Sequence, residues 1–513
     1  MNISKLEKLK TETLTTFPEL NSPHKGLHEK EVRVVLKNCD IINPENINHY
    51  IAKNGYFAIN KVLNEMSQED VIKTITDSGL RGRGGGGFPT GKKWNFAYKV
   101  KNDTKYIICN ADEGDPGAFM DRSVLEKDPH TVLEGMIIAG YAIGANTGFI
   151  YVRAEYPLAA KRLQMAIDDA LKLNILGDNI FESNFNFNIE IRLGAGAFVC
   201  GEETALIASI EGDRGMSKNK PPYPAIEGLF GKPTIINNVE TLANISQIIL
   251  NGSDWFRSFG TEKSPGTKVF ALAGKIKKTG LIEVPMGITL GEIINDIGKG
   301  VGNNRKFKAV LTGGPSGGCL TKKHLNQKVD FDTLVALGSM MGSGGMIVLD
   351  DHDCMVDIAQ FYLDFSVDES CGKCTPCREG TIQLYKILDK ITKGDGTLKD
   401  LDKLKKLSHA VKKTSLCGLG MTAPNPILST LEHFYDEYLA HVTHKVCPSH
   451  SCKGLIEKYI IQDNCIGCTI CATRCPVQCI TGERKGLHVI DQDACILCGE
   501  CFASCNFDAI ITK

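Results

Sequence analysis

The chain has 513 residues, 42% of them hydrophobic and 23% charged, with a formal net charge of −1. That is the make-up of a globular protein of roughly three or four domains, and it excludes the strong basic bias of a nucleic-acid binder or a membrane-surface protein. Twenty cysteines, mostly in C-x2-C groups, with no apolar signal core in MNISKLEKLKTETL, fit a reducing cytoplasm better than a disulfide framework.

Residues 1–50 are charged and carry few patterns. Residues 60–80 have apolar positions at helical spacing, and a Gly-rich loop follows at 82–87. From 104 to 250, short apolar runs alternate with helical stretches, as in an α/β domain. Tyr106–Cys109 and Gly148–Val152 read as buried strands, and 157–173 as an amphipathic helix started by Pro157. The most apolar run, 136–152, is broken by Gly140, Gly144, Asn146 and Gly148, and it is shorter than the ~20 residues a bilayer span needs. Direct membrane insertion is therefore not expected. Residues 265–348 suggest a small α+β module, with strands at Val269–Ala273 and Ala309–Leu311 and a capped helix at Thr289–Ile294. From 350 to 440 the pattern is helical, with Met355, Val356, Ile358, Ala359, Phe361, Tyr362 and Phe365 on one broad face.

The loop Leu80–Trp94 contains a formal G-x-G-x-x-G at Gly82, Gly84 and Gly87. A Rossmann fingerprint needs a strand before it, and here a helix precedes it. The steric argument is stronger, since consecutive glycines let backbone N–H groups approach a phosphate or a flat ring. Arg83 and Lys93 add positive charge, and Phe88, Trp94 and Phe96 offer stacking surface, unlike a plain flexible linker. Asn110, Asp112, Glu113 and Asp115 crowd one turn after a strand; they suit either a surface turn or hydrogen bonding to ribose or ribityl hydroxyls. Glu202 and Glu203 open a helix, where negative charge is favoured. Lys220–Pro224 is a stiff loop presenting Tyr223, and Asn237 and Asn238 stand ahead of another helix.

Three cysteine patterns follow. Cys371, Cys374 and Cys377 form C-x2-C-x2-C, with Cys417 as a candidate fourth ligand; the spacing alone fits zinc or [4Fe–4S]. Cys447 and Cys452, with Cys354 and His441 (His450 as substitute), make a mixed set of the kind that binds structural zinc, the alternative being an unliganded connector. The tail holds Cys465-x2-Cys468-x2-Cys471-x3-Cys475-Pro476 and Cys495-x2-Cys498-x2-Cys501-x3-Cys505. This doubled run is that of two-cubane ferredoxins, where the fourth cysteine of each copy crosses to the other cluster. Cys465, Cys468 and Cys471 would then pair with Cys505, and Cys495, Cys498 and Cys501 with Cys475; a zinc ribbon or disulfides would explain the pattern less well. Cys39, Cys109, Cys200, Cys319 and Cys479 read as incidental thiols.

Over about residues 50–440 these blocks resemble the NADH-binding flavoprotein subunit of respiratory complex I and of related NAD-linked hydrogenases and formate dehydrogenases. The resemblance implies that Gly82, Arg83, Gly84, Lys93, Asn110, Asp112, Glu202, Asn237, Asn238 and Thr241 contact FMN. It implies that Phe88, Phe96, Asp115, Glu203 and Tyr223 hold NAD(H), with no catalytic side chain beyond the neighbourhood of Asp115 and Glu203. It makes the Cys371 set a [4Fe–4S] centre, and so three such clusters in all. Asp115 stands where respiratory members carry Glu, and Phe198 where they carry Tyr.

The implied fold is α/β and multidomain. After an N-terminal segment (1–50) come a Rossmann-like FMN- and NAD(H)-binding domain (51–255), a ubiquitin-like β-grasp domain (256–348) and a helical bundle with an iron–sulfur cluster (349–440). A connector (441–458) leads to a two-cluster ferredoxin domain (459–513). The tailed architecture looks like the flavin subunit of cytoplasmic electron-bifurcating [FeFe]-hydrogenases. A formate dehydrogenase subunit, a complex I relative, a free-standing diaphorase and a degenerate electron carrier are the other readings. Expected partners are a [2Fe–2S] small subunit, a hydrogenase or formate dehydrogenase catalytic subunit and ferredoxin, in a hetero-oligomer or a dimer of one.

Overall fold

Four parallel strands form the first sheet: β1 (Tyr106–Ala111), β2 (Thr147–Arg153), β3 (Asn188–Gly194) and β4 (Thr234–Asn238), in the order β3-β2-β1-β4. The structure, a computed structural model, describes residues 1–24, 26–302 and 305–512. Ile107, Cys109 and Ala111 of β1 enter one core and Ile108 another, as the period of two requires. A parallel sheet covered on both faces explains why its strands read as unbroken apolar runs.

Helix Pro129–Ile143 packs on one face, with every residue but Tyr141 buried. Pro129 starts it, and Gly144 ends it at φ 76°. The apolar run 136–152 is thus the end of a core helix followed by β2. No helix among the described residues is long and apolar enough to cross a membrane. The helical spacing over 60–80 resolves into two helices, Phe57–Glu65 and Gln68–Asp77, because Ser67 and Asp70 form a reciprocal capping box between them. Helix Pro157–Lys172 lies where the sequence suggests.

The second sheet contains β5 (Thr267–Gly274), β6 (Gly280–Pro285), β7 (Phe307–Thr312), β8 (Gly318–Thr321) and β9 (Gly345–Asp350). Its order is β6-β5-β9-β7-β8, with β5 and β9 parallel and the other pairs antiparallel, which is a β-grasp sheet. Thr289 and Glu292 cap one another, but the helix they start is only the six-residue turn Glu292–Ile297. Helices Met355–Asp368, Thr375–Thr392, Leu398–Thr414 and Asn425–His433 form the bundle around Leu363, Leu384, Leu404 and Ile427. Its first helix buries a narrower face than the sequence suggests, since Phe361 is 55% exposed.

The tail has four very short strands: β10 (Tyr459–Ile461), β11 (Ile480–Thr481), β12 (Val489–Ile490) and β13 (Ile510–Thr512). They pair as β10 with β13 and β11 with β12, both antiparallel. Cys471, Cys475, Cys479 and Cys501 are themselves part of its core.

Candidate functional site

β1 has β2 on one side and β4 on the other, so the chain changes direction there. The carboxyl ends of strands at such a switch point splay apart and leave a crevice. A cavity of about 260 Å³ opens at this place, lined by Asn110 near the end of β1, Asp112 just after it, Asn238 at the end of β4, and Gly84–Gly86 of the Gly-rich loop. Its far wall comes from Gly313, Met340, Gly342 and Ser343 of the second sheet's loops, and from Gly418 and Leu419 of the bundle.

The loop is held by its own backbone. Gly82 N–H donates to the Phe88 carbonyl (2.8 Å), and Arg83 N–H to the Thr241 hydroxyl (2.8 Å). The Arg83 side chain is fully buried and donates to the carbonyls of Thr267, Pro265 and Arg81, so its charge ties the loop to β5 and is not brought to the cavity. This differs from the expectation of cationic contact, because the arginine finds three carbonyl acceptors in the protein. Asn237 is likewise engaged, accepting from the buried Trp94 indole at 2.8 Å. Asn110 donates to the Gly201 carbonyl (2.9 Å) and accepts from Asp112 N–H (3.1 Å).

Glu202 caps helix Glu203–Ile210, accepting from Thr204 and Ala205 N–H. Lys220 bonds both Glu202 (3.0 Å) and Glu203 (2.5 Å), and Lys93 lies 3.3 Å from Glu203. Burial alone would raise the Glu203 carboxyl, but Lys93 and Lys220 outweigh it and hold the group below its ordinary value. Phe88, Phe96 and Tyr223 are 48%, 44% and 55% exposed, and the two phenyl rings are 6.5 Å apart. Phe96 lies one turn beyond Lys93 on helix Thr90–Lys99, so this aromatic ledge is on the Lys93 side.

Asp112 is the clearest sign of a missing partner. Both its carboxylate oxygens are buried and have no hydrogen-bond partner among the described residues, and Arg153 comes no closer than 3.9 Å. Burial pushes this carboxyl up to about 7, against the pull of Arg153. A hydroxyl-bearing ligand in the cavity would satisfy these oxygens. Gly86 supports the same conclusion, because a Cβ there meets nothing within 4 Å and would project into the ligand space. The residues therefore fit a flavin nucleotide. Asp115 accepts from the Ser343 hydroxyl at 2.7 Å; burial raises its carboxyl to about 6, opposed by that bond.

Sequence reasoning missed the contribution of the second sheet and of Asp121. The signals present were the Gly-dense loops 313–318 and 338–345. Gly342 has φ 57°, and a Cβ on it would lie 2.4 Å from Gly313 Cα, so the two loops touch backbone to backbone.

Cys371 and Leu419 pack on the outer core of the first sheet beside Val199 and Ile207. Arg214 donates to the Cys371 carbonyl, and Lys373 to the Ser217 carbonyl. Burial, together with the neighbouring Cys374, Cys417 and Cys371, drives the Cys377 thiol up to about 11. A set of four crowded thiols suits a cationic iron–sulfur group that would take them as thiolates.

The connector set is tighter. The ligand atoms of Cys354, His441, Cys447 and Cys452 all lie within 4.8 Å of one another, and all four residues are buried. His441 Nε2 is 3.4 Å from Cys354 Sγ and 3.3 Å from Cys452 Sγ, while Nδ1 faces the Glu437 carbonyl at 2.7 Å. Bonds of about 2.3 Å to a tetrahedral ion put thiolate sulfurs about 3.8 Å apart; Cys354 and Cys452 are 3.5 Å apart. Hydrogen bonds from Cys354 and Cys452 hold Cys447 far below the ordinary thiol value. His450 lies elsewhere, against Thr512.

In the tail, Cys465, Cys468, Cys471 and Cys505 line one small apolar cavity. Cys475, Cys495, Cys498 and Cys501 line another, together with Cys479, which lies 3.5 Å from Cys475 Sγ. Cys479 is thus part of a cysteine-lined cavity, which its reading as an incidental thiol did not anticipate.

Residues 75–247 match the model of the Nuo51 FMN-binding domain, and residues 357–441 that of the NADH-ubiquinone oxidoreductase-F iron–sulfur binding region. The chain is 59% identical to the NADP-reducing hydrogenase subunit HndC of Solidesulfovibrio fructosivorans, over 94% of this chain and 99% of that protein. It is 45% identical to an NADH-quinone oxidoreductase subunit of Rhizobium meliloti (strain 1021), over 81% of this chain and 99% of that protein. The crystal structure of an NAD+-reducing [NiFe]-hydrogenase in the H2-reduced state aligns with TM-score 0.71 and 33% identity, over 86% of this chain and 73% of that one.

Proposed function

This chain belongs to the family of FMN- and [4Fe–4S]-binding subunits of NADH oxidoreductases and hydrogenases, and on that premise we propose that it is the NAD(H)-oxidising and -reducing flavoprotein subunit of a cytoplasmic, electron-bifurcating hydrogenase complex. The observation that carries the subtype is coverage. The alignment with the hydrogenase subunit takes in 94% of the chain, too much to stop before the cysteine-rich tail, whereas the quinone-linked relative accounts for 81%.

When bound, FMN exchanges a hydride with the nicotinamide and single electrons with iron–sulfur clusters. Gly84, Asn110, Asp112 and Asn238 would hold it. Phe88, Phe96 and Tyr223 would stack on the nucleotide's rings, with Glu203 and Asp115 at the exchange position. Gly418 and Leu419 line the cavity directly after Cys417, which supports the cluster of Cys371, Cys374, Cys377 and Cys417 as the neighbour of the flavin. Two further [4Fe–4S] clusters would occupy the tail, and zinc the Cys354/His441/Cys447/Cys452 set. The division into segments at 51, 256, 349, 441 and 459 follows these sites. A [2Fe–2S] subunit, an [FeFe]-hydrogenase subunit and ferredoxin complete the complex.

Oxygen-free native purification with mass spectrometry of the co-purifying proteins tests this reading, alongside reduction of NAD+ and of NADP+. A hydrogenase and a [2Fe–2S] subunit without membrane proteins is the expected result. The similarity to the NADH-quinone oxidoreductase relative favours one other reading, a member of a complex I-like assembly; quinone-site and membrane subunits in the preparation would establish that reading, and a formate dehydrogenase would replace the hydrogenase as second catalyst.

A further inference from the structure

Three buried carboxyls gather near one buried ammonium at the cavity wall, two of them lining the cavity. Glu113, Asp121 and Glu240 are 5%, 3% and 1% exposed, and Lys268 is fully buried. Glu240 pairs with Lys268 and also accepts Val269 N–H at 2.9 Å. Glu113 accepts the N–H groups of Asp121 (3.1 Å) and Arg122 (3.0 Å), at the start of helix Met120–Lys127. Both carboxyls thus have hydrogen-bond donors in the protein, although burial still raises Glu113 to about 7 against the pull of its two N–H donors.

Asp121 has fewer. Its helix's first free N–H groups are taken by Glu113, and among the described residues its one donor is Asn238. The Asn238 Oδ1 caps helix Val239–Asn251, accepting from Glu240 and Thr241 N–H, so Nδ2 is the atom that meets Asp121 Oδ2, at 2.5 Å. Among the described residues Oδ1 of Asp121 has no hydrogen-bond partner, and the residue lines the cavity. The other charges nearby do not compensate. Arg122 turns to Glu126 at 2.8 Å, Arg83 is spent on backbone carbonyls, and Asp115 and Asp112 add negative charge to the same cavity. Burial, then Glu113 and Glu240, drive the Asp121 carboxyl well above its ordinary value, with Lys268 and Asn238 opposing.

We propose that Asp121 is a neutral carboxylic acid that donates a hydrogen bond from Oδ1 to an oxygen of the nucleotide in the cavity, so that the hold on FMN weakens as pH rises. This rests on the flavin reading above. The proton is needed for binding, so affinity is flat below the Asp121 titration in the free protein. Above it, affinity falls by about tenfold per pH unit.

The test is FMN binding to the deflavinated full chain, followed by flavin fluorescence between about pH 7.5 and about pH 9.5, above the phosphate's own second ionisation at about 6. The wild type should lose affinity across this window, and Asp121→Asn, whose amide donates at every pH, should not. Riboflavin in place of FMN separates the acceptors: a slope kept with riboflavin points to a ribityl hydroxyl or a ring carbonyl, and a slope lost points to the phosphate. Calorimetry of the wild type in buffers of differing ionisation enthalpy gives a second readout that needs no variant, with net proton uptake on FMN binding expected at the alkaline end. Matching slopes for wild type and variant, or no proton uptake, would overturn the proposal. A wild type that binds no flavin at any pH would overturn the flavin reading as well.

Discussion

The first sheet and the tail put cysteine and aliphatic side chains to opposite uses. β1, β2 and β4 bury Ile107, Ile108, Ile150 and Ile235 in two cores, and the one cysteine on these three strands, Cys109, is an inert filler whose thiol burial drives far up. In the tail the strands are two or three residues long, and cysteines are part of the core. A segment so small cannot bury enough apolar surface by itself, and metals are the usual remedy. Its polar contacts with the body include Arg305 with Asp508 at 3.0 Å and Thr512 with His450, and Phe502 packs its ring against His352 and His450. The cavity should therefore survive loss of iron, and the tail should not.

The largest effect follows directly. Chelating iron under reducing conditions should make the chain after residue 458 fully protease-sensitive while the β1–β9 region stays resistant. A protected tail in the iron-free protein would break the contrast. The converse experiment strikes the body. A Cβ on Gly135 would lie 2.2 Å from the Leu242 carbonyl oxygen, inside a buried helix that has no room to withdraw. Gly135→Ala should cost about 1–3 kcal/mol, as overpacking does, and lower the body's melting temperature by calorimetry, with the tail's cluster spectrum unchanged.

The two regions also differed in how far they could be read from the chain. The tail's cysteine spacing is local, so cysteines that the sequence groups are the ones the structure groups. The crossed partners, Cys505 and Cys475, were reachable because the repeat itself encodes them. The cavity is not local. Asn110 and Asn238 come from adjacent strands that the chain reaches far apart in sequence, and the far wall arrives from loops of another sheet. The Arg83 side chain shows the same limit: a cation in a Gly-rich loop suggests an anion, and the carbonyls of Thr267, Pro265 and Arg81 that engage it are brought together only by the fold. The 60–80 helix was legible as periodicity, whereas its break at Ser67 depends on a capping exchange visible only as S-x-x-D.

A smaller effect probes the cavity mouth alone. Glu203 balances Lys93 and Lys220, and both lysines lose that partner in Glu203→Ala. KM for NADH should rise by about tenfold, equivalent to about 1.4 kcal/mol, with FMN still bound, as steady-state kinetics and flavin content would show. Unchanged kinetics would remove Glu203 from the nucleotide site.

The smallest expected effect sharpens the comparison most. Cys471→Ser replaces a soft thiolate with a poor iron ligand and should cost one tail cluster, read by electron paramagnetic resonance and iron content. Cys471 is a cleaner target than Cys475, because Cys479 sits 3.5 Å from the Cys475 sulfur and is placed to substitute for it. NADH-to-dye reduction should be unchanged, since the cavity wall includes Gly418 and Leu419, the two residues after Cys417, and its lining among the described residues includes none from the tail. The tail would then be an outlet downstream of the nucleotide chemistry, coupled to the body by docking and not by shared structure. Loss of dye reduction together with the cluster would mean that electrons leave the cavity through the tail, and the separation of the two regions would hold for folding but not for function.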